Sequence, residues 1–331
     1  MTDELRYGLI GLGMMGRHHA RVIAETHGIT LAGVVDEAGD PRGVAGNAPL
    51  RASVAALIES GIDAAVVSVP TQAHEAIALE LAEAGIHTLV EKPLTADSPS
   101  GTRVARAFDD AGLVGAVGHI ERYNPALQSL RERIDAGDLG DVYQIATRRQ
   151  GPFPARIADV GVVKDLATHD IDATAWLAHS RFETVAALTA SRSGRAHEDM
   201  VTATARLDSG VITNHLVNWL SPMKERTTVV TGERGAFVAD TVSGDLTFFE
   251  NGTLALEWES VMAFRGVSEG SVTRFALNKR EPLRLEHEAF RDAILGESSD
   301  IVTMTEGLEN VRVAEAMLRS AASSESVKVE R

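Results

Sequence analysis

The 331-residue sequence predicts two domains of different fold class. Over residues 1–120, apolar strands alternate with helical segments, which predicts an α/β domain with a doubly wound parallel sheet of about five or six strands. Over residues 121–331 the pattern changes, because six short β segments follow one another within 182–249 and are separated by turn residues such as Ser209-Gly210. This second pattern predicts an α+β domain built on a largely antiparallel open sheet.

Composition excludes several classes of function. The formal net charge of −15 argues against a nucleic-acid-binding surface, which needs a basic face. The chain has no Cys, so disulfides, thiolate metal sites and a cysteine nucleophile are excluded. The charged N-terminus enters a strand at once, and no apolar run is long enough to cross a membrane. We therefore expect a cytoplasmic protein that acts on a small molecule, with neither nucleic acid nor membrane as partner.

A glycine-rich turn near the N-terminus is the first functional motif. The apolar strand 7–10 runs into Gly11-x-Gly13-x-x-Gly16, and a helical pattern follows. Gly11 permits a tight turn, Gly13 allows the backbone to approach a pyrophosphate, and Gly16 allows the helix to pack closely on its strand. The alternative is an ordinary strand-to-helix turn, but the flanking strand and helix favour a Rossmann dinucleotide site. The predicted pyrophosphate contacts are Gly11, Leu12, Gly13, Met14, Met15 and Gly16.

Asp36 predicts which dinucleotide is bound. It stands twenty residues after Gly16, at the end of the second apolar strand, Ile29–Val35. A carboxylate at this position can accept hydrogen bonds from both ribose hydroxyls, whereas it would repel a 2′-phosphate. The predicted cofactor is therefore NAD rather than NADP.

The remaining elements of the first domain supply candidate residues at strand ends. Strands are predicted at 63–69, 87–90 and 113–119, with helices at 53–60, 97–112 and in the alanine-rich segment that ends at Ala84. Open α/β sheets bind ligands beyond the carboxyl ends of their strands. The residues expected there to line the cofactor groove are Ser68, Pro70, Thr71, His74, Glu91 and Lys92. For two of these residues an alternative to a cofactor contact stays open. His74 could be purely structural, and Lys92 could be an ordinary surface lysine.

The second domain begins with a helix that Asn124 caps, that Pro125 starts and that Gly137 ends. A strand is predicted at 142–150, the six β segments follow, and helices at 284–295 and 304–321 end the chain. A wide sheet with one face free of helices predicts a subunit interface, so we expect a homo-oligomer, a dimer or a tetramer.

Asp165 and His169 are the candidate acid–base pair. On an α-helix, residues four apart share a face, so the carboxylate could hold one imidazole nitrogen and raise its basicity. The alternative is a hydrogen-bonded pair at a helix surface, and spacing alone leaves both open. His169, Asp170 and Asp172 cannot converge on a metal from one helix face, so no metal is expected.

Taken together, the glycine turn with Asp36, the Glu91-Lys92-Pro93 segment and Asp165-x-x-x-His169 resemble the Gfo/Idh/MocA family (glucose–fructose oxidoreductase, inositol dehydrogenase, rhizopine catabolism). The resemblance covers nearly the whole chain. It implies NAD-dependent oxidation of a secondary hydroxyl of a sugar, cyclitol or nucleotide sugar, or the reverse reduction. It also implies that Lys92, Asp165 and His169 form the catalytic set. Either His169 or Lys92 would accept the hydroxyl proton.

Two segments, 119–125 and 161–165, look most like UDP-N-acetylglucosamine 3-dehydrogenase-type members of that family. Over 144–164, four basic residues stand against one acidic residue, which favours an anionic substrate such as a nucleotide diphosphate sugar. The alternative is that some of these arginines pair with surface carboxylates. The expected substrate contacts are Lys92, His119, Arg122, Tyr123, Arg149, Arg156, Lys164 and His169.

Two other functions stay open from the sequence. One is a dehydrogenase of a free cyclitol or monosaccharide. The other is a regulator that senses NAD without turning over a substrate, which we would expect to lose the lysine or the histidine of the catalytic set.

Overall fold

The computed structural model describes residues 4–154, 160–252, 269–297 and 300–331. The chain forms two compact units. The first comprises residues 1–120 and 280–315, and the second comprises 121–279 and 316–331. The segment 280–315, which the sequence pattern places in the second domain, thus belongs to the first unit.

Fourteen strands and eight α-helices are numbered in chain order within the described residues. The strands are β1 (Leu5–Ile10), β2 (Ile29–Val35), β3 (Ala64–Val67), β4 (His87–Glu91), β5 (Gly115–Gly118), β6 (Val142–Pro152), β7 (Phe182–Ala190), β8 (Met200–Leu207), β9 (Ile212–Asn218), β10 (Leu220–Gly232), β11 (Gly235–Asp240), β12 (Asp245–Asn251), β13 (Glu269–Phe275) and β14 (Val327–Lys328). The helices are α1 (Met14–Glu25), α2 (Val54–Glu59), α3 (His74–Glu83), α4 (Ser98–Ala111), α5 (Pro125–Asp135), α6 (Thr168–Leu177), α7 (Pro282–Ile294) and α8 (Met304–Ser323).

The first unit is built on a five-stranded sheet in the order β2-β1-β3-β4-β5. All of its neighbouring strands are parallel, which confirms the predicted doubly wound fold. All four residues of β3 are buried, because helices cover both faces of such a sheet. Successive residues of each strand point to opposite faces, so Val67 joins one apolar cluster and Val66 joins the other.

Helix α7 explains why the late segment belongs to the first unit. Its Phe290 is fully buried in the same apolar cluster as Tyr7 and Ile23, and its ring meets that of Tyr7 edge-on, with centroids 5.9 Å apart. Burying a Phe side chain is worth about 1.5–3 kcal/mol. The docking of α7 therefore depends on a tertiary contact with a strand that lies far away in the sequence.

The second unit is built on a nine-stranded sheet in the order β13-β12-β11-β10-β6-β9-β8-β7-β14. Of its pairs only β6 and β9 are parallel among the described strands, which confirms a largely antiparallel sheet. The sequence pattern missed β13 and β14. β14 has only two residues, and β13 begins Glu-Gly-Ser, so neither carries the apolar pattern that predicts a strand.

Buried and exposed side chains alternate along strands such as β8 of this second sheet. In β8, Val201, Ala203 and Ala205 are buried whereas the residues between them are exposed. One sheet face is therefore a core face and the other is open. Within the ranges that the structure describes, no helix has the length and apolar character needed to cross a bilayer.

Candidate active site

The glycine turn has the shape that a dinucleotide site requires. Gly11 has φ +93°, and a Cβ there would lie 2.7 Å from the carbonyl oxygen of Ser68. A Cβ on Gly16 would lie 2.0 Å from the carbonyl oxygen of Gly11. Both positions therefore require glycine. By contrast, a Cβ on Gly13 would meet nothing within 4 Å of the described chain, so the turn is open at the point where a pyrophosphate is expected.

Helix α1 starts at this opening. Gly13 is its N-cap residue, and no side chain of the described chain caps the first turn. The first N–H groups of the helix and the positive end of its dipole are then available to an anion. These groups fit the phosphates of NAD, with Met14, Met15 and Gly16 contributing the first amides.

Asp36 lies beside the glycine turn, as its position at the end of β2 predicts. Its Oδ2 accepts a hydrogen bond from the Leu12 amide at 2.6 Å, and its Oδ1 accepts one from the Ala38 amide at 2.8 Å. The carboxylate is thus held by the backbone on both sides, and it is only partly buried. An oriented carboxylate at this position suits the ribose hydroxyls of NAD.

The residues that follow β3 divide into two groups. Pro70 is exposed and Thr71 is partly exposed, whereas the Ser68 hydroxyl donates to the carbonyl oxygen of Gly11 at 2.8 Å and so braces the glycine turn. His74 is 1% exposed. Its Nδ1 lies 3.0 Å from the carbonyl oxygen of Pro93 and its Nε2 lies 3.0 Å from that of Val69. Both ring nitrogens face the main chain, which favours the structural role for His74 that the sequence left open.

Glu91 and Lys92 lie at the carboxyl end of β4. Glu91 Oε2 accepts a hydrogen bond from the Lys92 amide at 3.0 Å, and Oε1 lies 3.0 Å from Nε2 of the buried His19. Burial acts to raise the pKa of Glu91, but the hydrogen bond from His19 and the charge of Lys92 hold it below its ordinary value. The Lys92 side chain is partly exposed. Glu91 is therefore an ionised neighbour of Lys92, engaged with α1.

The segment that carries Asp165 differs from the single α-helix that the sequence predicts. Val163–Ala167 is π-helical, and α6 begins only at Thr168. Asp165 is buried in the π-helical turn, and His169, in the first turn of α6, is partly exposed. The α-helical geometry expected for residues four apart therefore does not apply. π-Helical turns of this kind occur frequently at functional sites.

Glu198 supports the start of this π-helical turn. Its Oε1 accepts a hydrogen bond from the Val163 amide at 3.1 Å, and its carbonyl oxygen accepts one from the Val162 amide at 2.9 Å. A Cβ on Gly161 would lie 1.9 Å from that same Oε1. Gly161 therefore leaves the space in which the Glu198 carboxylate reaches the helix start.

Two of the expected substrate contacts are instead engaged inside the protein. Arg149 is 3% exposed, and it donates to Asp170 Oδ1 and to Glu121 Oε1, each at 2.8 Å. Burial acts to lower the pKa of Arg149, but the charges of Asp170 and Glu121 raise it above its ordinary value. Arg122, also 3% exposed, donates to both carboxylate oxygens of Asp172 at 2.9 and 2.7 Å.

These ion pairs correct the inference that the cations cluster to bind a diphosphate. Arg149, a member of that cluster, pairs with buried carboxylates, whereas the sequence left open pairing with surface carboxylates. Arg122, an expected substrate contact outside the cluster, is likewise paired with a buried carboxylate. A buried ion pair holds its partners firmly, since removing one leaves an uncompensated charge. Both arginines thereby anchor α6 through Asp170 and Asp172, the two acidic residues that follow His169.

The other expected substrate residues are placed as follows. His119 and Tyr123 are buried, Lys164 is partly exposed, and Arg156 lies outside the described residues. The sequence analysis did not single out Arg226, which stands opposite Arg149 in the pairing of β10 with β6. Its side chain is 32% exposed and donates to Glu121 Oε1 at 3.4 Å. Only the strand register brings Arg226 into this cluster, so no local sequence pattern could have found it.

Across the described ranges, no group of three His, Asp or Glu side chains is arranged to hold a metal ion.

Comparison with known proteins gives a consistent result. The family model described as "Oxidoreductase family, NAD-binding Rossmann fold" matches residues 5–119, and the "GFO/IDH/MocA C-terminal domain" model matches residues 127–238. The chain is 32% identical to UDP-N-acetylglucosamine 3-dehydrogenase of Acidithiobacillus ferrooxidans over 88% of this chain and 89% of that protein. It is 26% identical to the NAD-dependent scyllo-inositol 2-dehydrogenase of Bacillus subtilis over 97% of this chain and 95% of that one.

A solved structure is similar over the same extent. The UDP-N-acetylglucosamine 3-dehydrogenase of Acidithiobacillus ferrooxidans superposes with a TM-score of 0.84 at 28% identity. The match covers 96% of this chain and 98% of that one.

Proposed function

Because the chain belongs to the Gfo/Idh/MocA family of oxidoreductases, with its NAD-binding Rossmann domain, we propose that it is a dehydrogenase that oxidises a secondary hydroxyl of a nucleotide sugar of the UDP-N-acetylglucosamine type. One observation carries this proposal. The relative with that activity matches at 32% identity over nearly the full length of both chains. The similarity to scyllo-inositol 2-dehydrogenase favours a cyclitol dehydrogenase as the second candidate.

Each proposed site residue has a separate task in the oxidation of the hydroxyl. NAD, when bound by the amides of the glycine turn and by Asp36, supplies the hydride acceptor. His169 accepts the hydroxyl proton as general base, and Asp165 orients and tunes its imidazole. Lys92 donates a hydrogen bond to the substrate oxygen and stabilises the negative charge that develops on it. In the alternative assignment, Lys92 is the proton acceptor.

Arg226 is the cation proposed to meet a diphosphate. Unlike Arg149, it is partly exposed and its contact with Glu121 is long, while Arg149 satisfies the same carboxylate at 2.8 Å. A guanidinium suits a phosphate because its N–H groups form paired charge-assisted hydrogen bonds.

The open face of the second sheet is proposed to join subunits into a homo-oligomer. It exposes large apolar side chains on alternating strand positions, including Leu188 at 65% and Val272 at 61%. Exposed apolar patches of this kind mark interaction surfaces.

The function is tested with a substrate panel, read as NAD reduction by absorbance. UDP-N-acetylglucosamine, UDP-glucose, glucose, myo-inositol and scyllo-inositol are compared at matched concentrations. Lys92→Ala and His169→Ala should each lower kcat by about 10²-fold or more, the usual contribution of a positioned acid or base. Lys328→Ala and His179→Ala, in exposed positions, are the matched controls and should keep wild-type rates.

The outcomes separate the candidates. Turnover of inositol with no turnover of UDP-sugars would replace the proposal with the cyclitol dehydrogenase. NAD binding with no turnover of any substrate would favour the sensing regulator. Full turnover in both Lys92→Ala and His169→Ala would show that the catalytic residues are assigned wrongly.

A variant at Arg226 tests the nucleotide part of the substrate. Arg226→Ala should raise KM for the UDP-sugar about tenfold with little change in kcat, since a charge-assisted hydrogen bond is worth about 1.5–3 kcal/mol. Arg148→Ala is the matched control, because Arg148 lies next to Arg149 on β6, is 61% exposed and pairs with Glu225. An unchanged KM in Arg226→Ala would remove Arg226 from the substrate site.

A further inference from the structure

Two buried histidines and the partly buried Glu91 carboxylate, all in the first unit, form a hydrogen-bonded chain that ends beside Lys92. Glu91 comes from the end of β4, His19 from α1 and His287 from α7. His19 Nε2 lies 3.0 Å from Glu91 Oε1, and His19 Nδ1 lies 2.9 Å from His287 Nε2. Both imidazoles have 0% exposure. Neither histidine has a role in the proposed reaction, and their contact joins segments 268 residues apart.

The direction of the donors follows from burial. Burial lowers the pKa of His287 well below its ordinary value, so His287 is a neutral imidazole with one N–H. Its Nδ1 is buried without a hydrogen-bond partner in the described chain. Because a buried N–H without a partner is rarer than an unpaired acceptor, the proton belongs on Nε2. His287 Nε2–H therefore donates to His19 Nδ1, and His19 Nε2–H donates to Glu91.

The hydrogen bonds from the two histidines hold the Glu91 carboxylate, and the charge of that carboxylate acts on the Lys92 ammonium. Hydrogen bonds in series polarise one another, so the donor from His19 is strengthened by the one from His287. Glu91 Oε2 also accepts the Lys92 amide at 3.0 Å. The carboxylate packs against β5 as well, since a Cβ on Gly118 would lie 3.3 Å from Oε2. Hydrogen bonds and packing thus fix the Glu91 carboxylate on three sides, and Lys92 is the residue that follows it in the sequence.

The titratable groups that face the Glu91 carboxylate are basic, so Glu91 is the anion of this cluster. Glu91 faces His19, Lys92 and, more weakly, His74. His287 faces His19, and its ring lies 6.3 Å from that of Tyr7. The remaining buried acidic group of α7 is Glu286, which precedes His287. His18, next to His19 on α1, faces Arg17, Arg21, His19 and Glu281.

We propose that His19 and His287 are positioning residues for Lys92, and that they act by holding the Glu91 carboxylate in place as an anion beside the lysine ammonium. This inference rests on the proposed role of Lys92 in the reaction. It assigns to the Glu of the Glu-Lys-Pro segment an electrostatic task instead of a direct contact with the cofactor. It also gives α7 a function, because α7 carries His287, the last donor in the series of hydrogen bonds.

Lysine acylation tests the proposal without any substrate. The full-length protein is treated with trace acetic anhydride at neutral pH, and the label at each lysine is measured by mass spectrometry. Acetic anhydride acylates only the neutral amine. The sequence has five lysines, so Lys164, Lys224, Lys279 and Lys328 serve as internal references for Lys92.

Removing the Glu91 carboxylate, or the histidine that donates to it, should change the labelling rate of Lys92. In Glu91→Gln, Lys92 should be labelled about tenfold faster, since the loss of a neighbouring opposite charge favours the neutral amine. His19→Phe should increase the labelling in the same direction, and His287→Phe by less. His19→Gln, which keeps a donor near the position of Nε2, should restore a rate close to wild type. His18→Phe is the matched control and should leave Lys92 unchanged.

Two results would overturn the proposal. One is an unchanged Lys92 rate in Glu91→Gln and His19→Phe while the four reference lysines also stay unchanged. The other is an equal rise at all five lysines, which would mean general loosening. If His19→Phe does not fold, Glu91→Gln against Glu91→Asp decides, because only the second keeps the charge. Failure of the proposed function would appear separately, as full turnover in Lys92→Ala with the labelling pattern intact.

Discussion

Asp36 is the residue proposed to determine cofactor selectivity. Its carboxylate is oriented by the amides of Leu12 and Ala38 at the edge of the glycine turn. Asp36→Ser should therefore raise KM for NAD about 10- to 100-fold, the cost of about 1.5–3 kcal/mol for hydrogen bonds to a charged group. It should also improve the relative use of NADP, because the repulsion of the 2′-phosphate is lost.

Steady-state rates with both cofactors check this prediction. Glu37→Gln, at the exposed next position, is the matched control and should change the NAD to NADP ratio little. An unchanged ratio in Asp36→Ser would show that selectivity lies elsewhere.

His215 makes the stability of the second unit depend on pH. It is buried on the core face of β9, and its ring nitrogens lie 2.9 Å from the Thr147 hydroxyl and 3.1 Å from the Thr213 hydroxyl. Burial lowers the pKa of His215 to about 4. Between that value and the unfolded pKa of about 6.5, the unfolded chain binds more protons, so stability falls as the pH falls through this window.

From pH 7 to pH 5, this one group should lower the free energy of unfolding by about 2 kcal/mol. His215→Gln should show a correspondingly smaller loss between the two pH values. Urea denaturation followed by tryptophan fluorescence measures it, because all three tryptophans lie within 121–279. Equal losses in wild type and variant would contradict the prediction.

At the scale of elements, the π-helical turn Val163–Ala167 positions Asp165, and the hydrogen bond from the Val163 amide to Glu198 fixes its start. Gly161→Ala would place a Cβ on the Glu198 carboxylate. The carboxylate can move away, but it then loses the Val163 amide. We expect a loss of stability of about 1 kcal/mol and a lower kcat.

A double-mutant cycle identifies the cause. Glu198→Ala should have a similar effect by itself, and Gly161→Ala should add little to it, because both changes remove the same hydrogen bond. Gly151→Ala is the matched control, since a Cβ there meets nothing within 4 Å among the described residues. Thermal unfolding and kcat are measured for all variants, and simple additivity would contradict the mechanism.

At the scale of the whole molecule, the open sheet face is expected to assemble subunits. Leu188 and Val272 lie on β7 and β13, the outer parts of the nine-stranded sheet, and both are more than half exposed. Leu188→Asp and Val272→Asp should shift sedimentation velocity from an oligomer to smaller species, because a charge in an apolar interface is costly.

Leu295→Asp controls for the substitution itself. Leu295 is 50% exposed and belongs to the first unit, so this variant should sediment like the wild type. A monomeric wild type, or variants that sediment unchanged, would remove the sheet face as the interface.

The sequence by itself determined the features that local chemistry encodes. Hydrophobic periodicity identified the five parallel strands and most of the second sheet, since side-chain direction repeats at every second strand residue. The glycine spacing and Asp36 identified an NAD site, because each glycine answers a local steric demand that the structure shows at Gly11 and Gly16.

The tertiary structure alone decided which charged and polar groups meet. Arg149 forms a buried ion pair with Asp170, although the clustering of cations over 144–164 predicts a phosphate site, and Arg122 forms a buried ion pair with Asp172. The segment 280–315 joins the first unit, where it brings His287 to His19. These contacts depend on strand register and on the docking of distant helices. Local periodicity does not encode strand register or helix docking, because the free energy that selects them comes from burial and pairing in the folded chain.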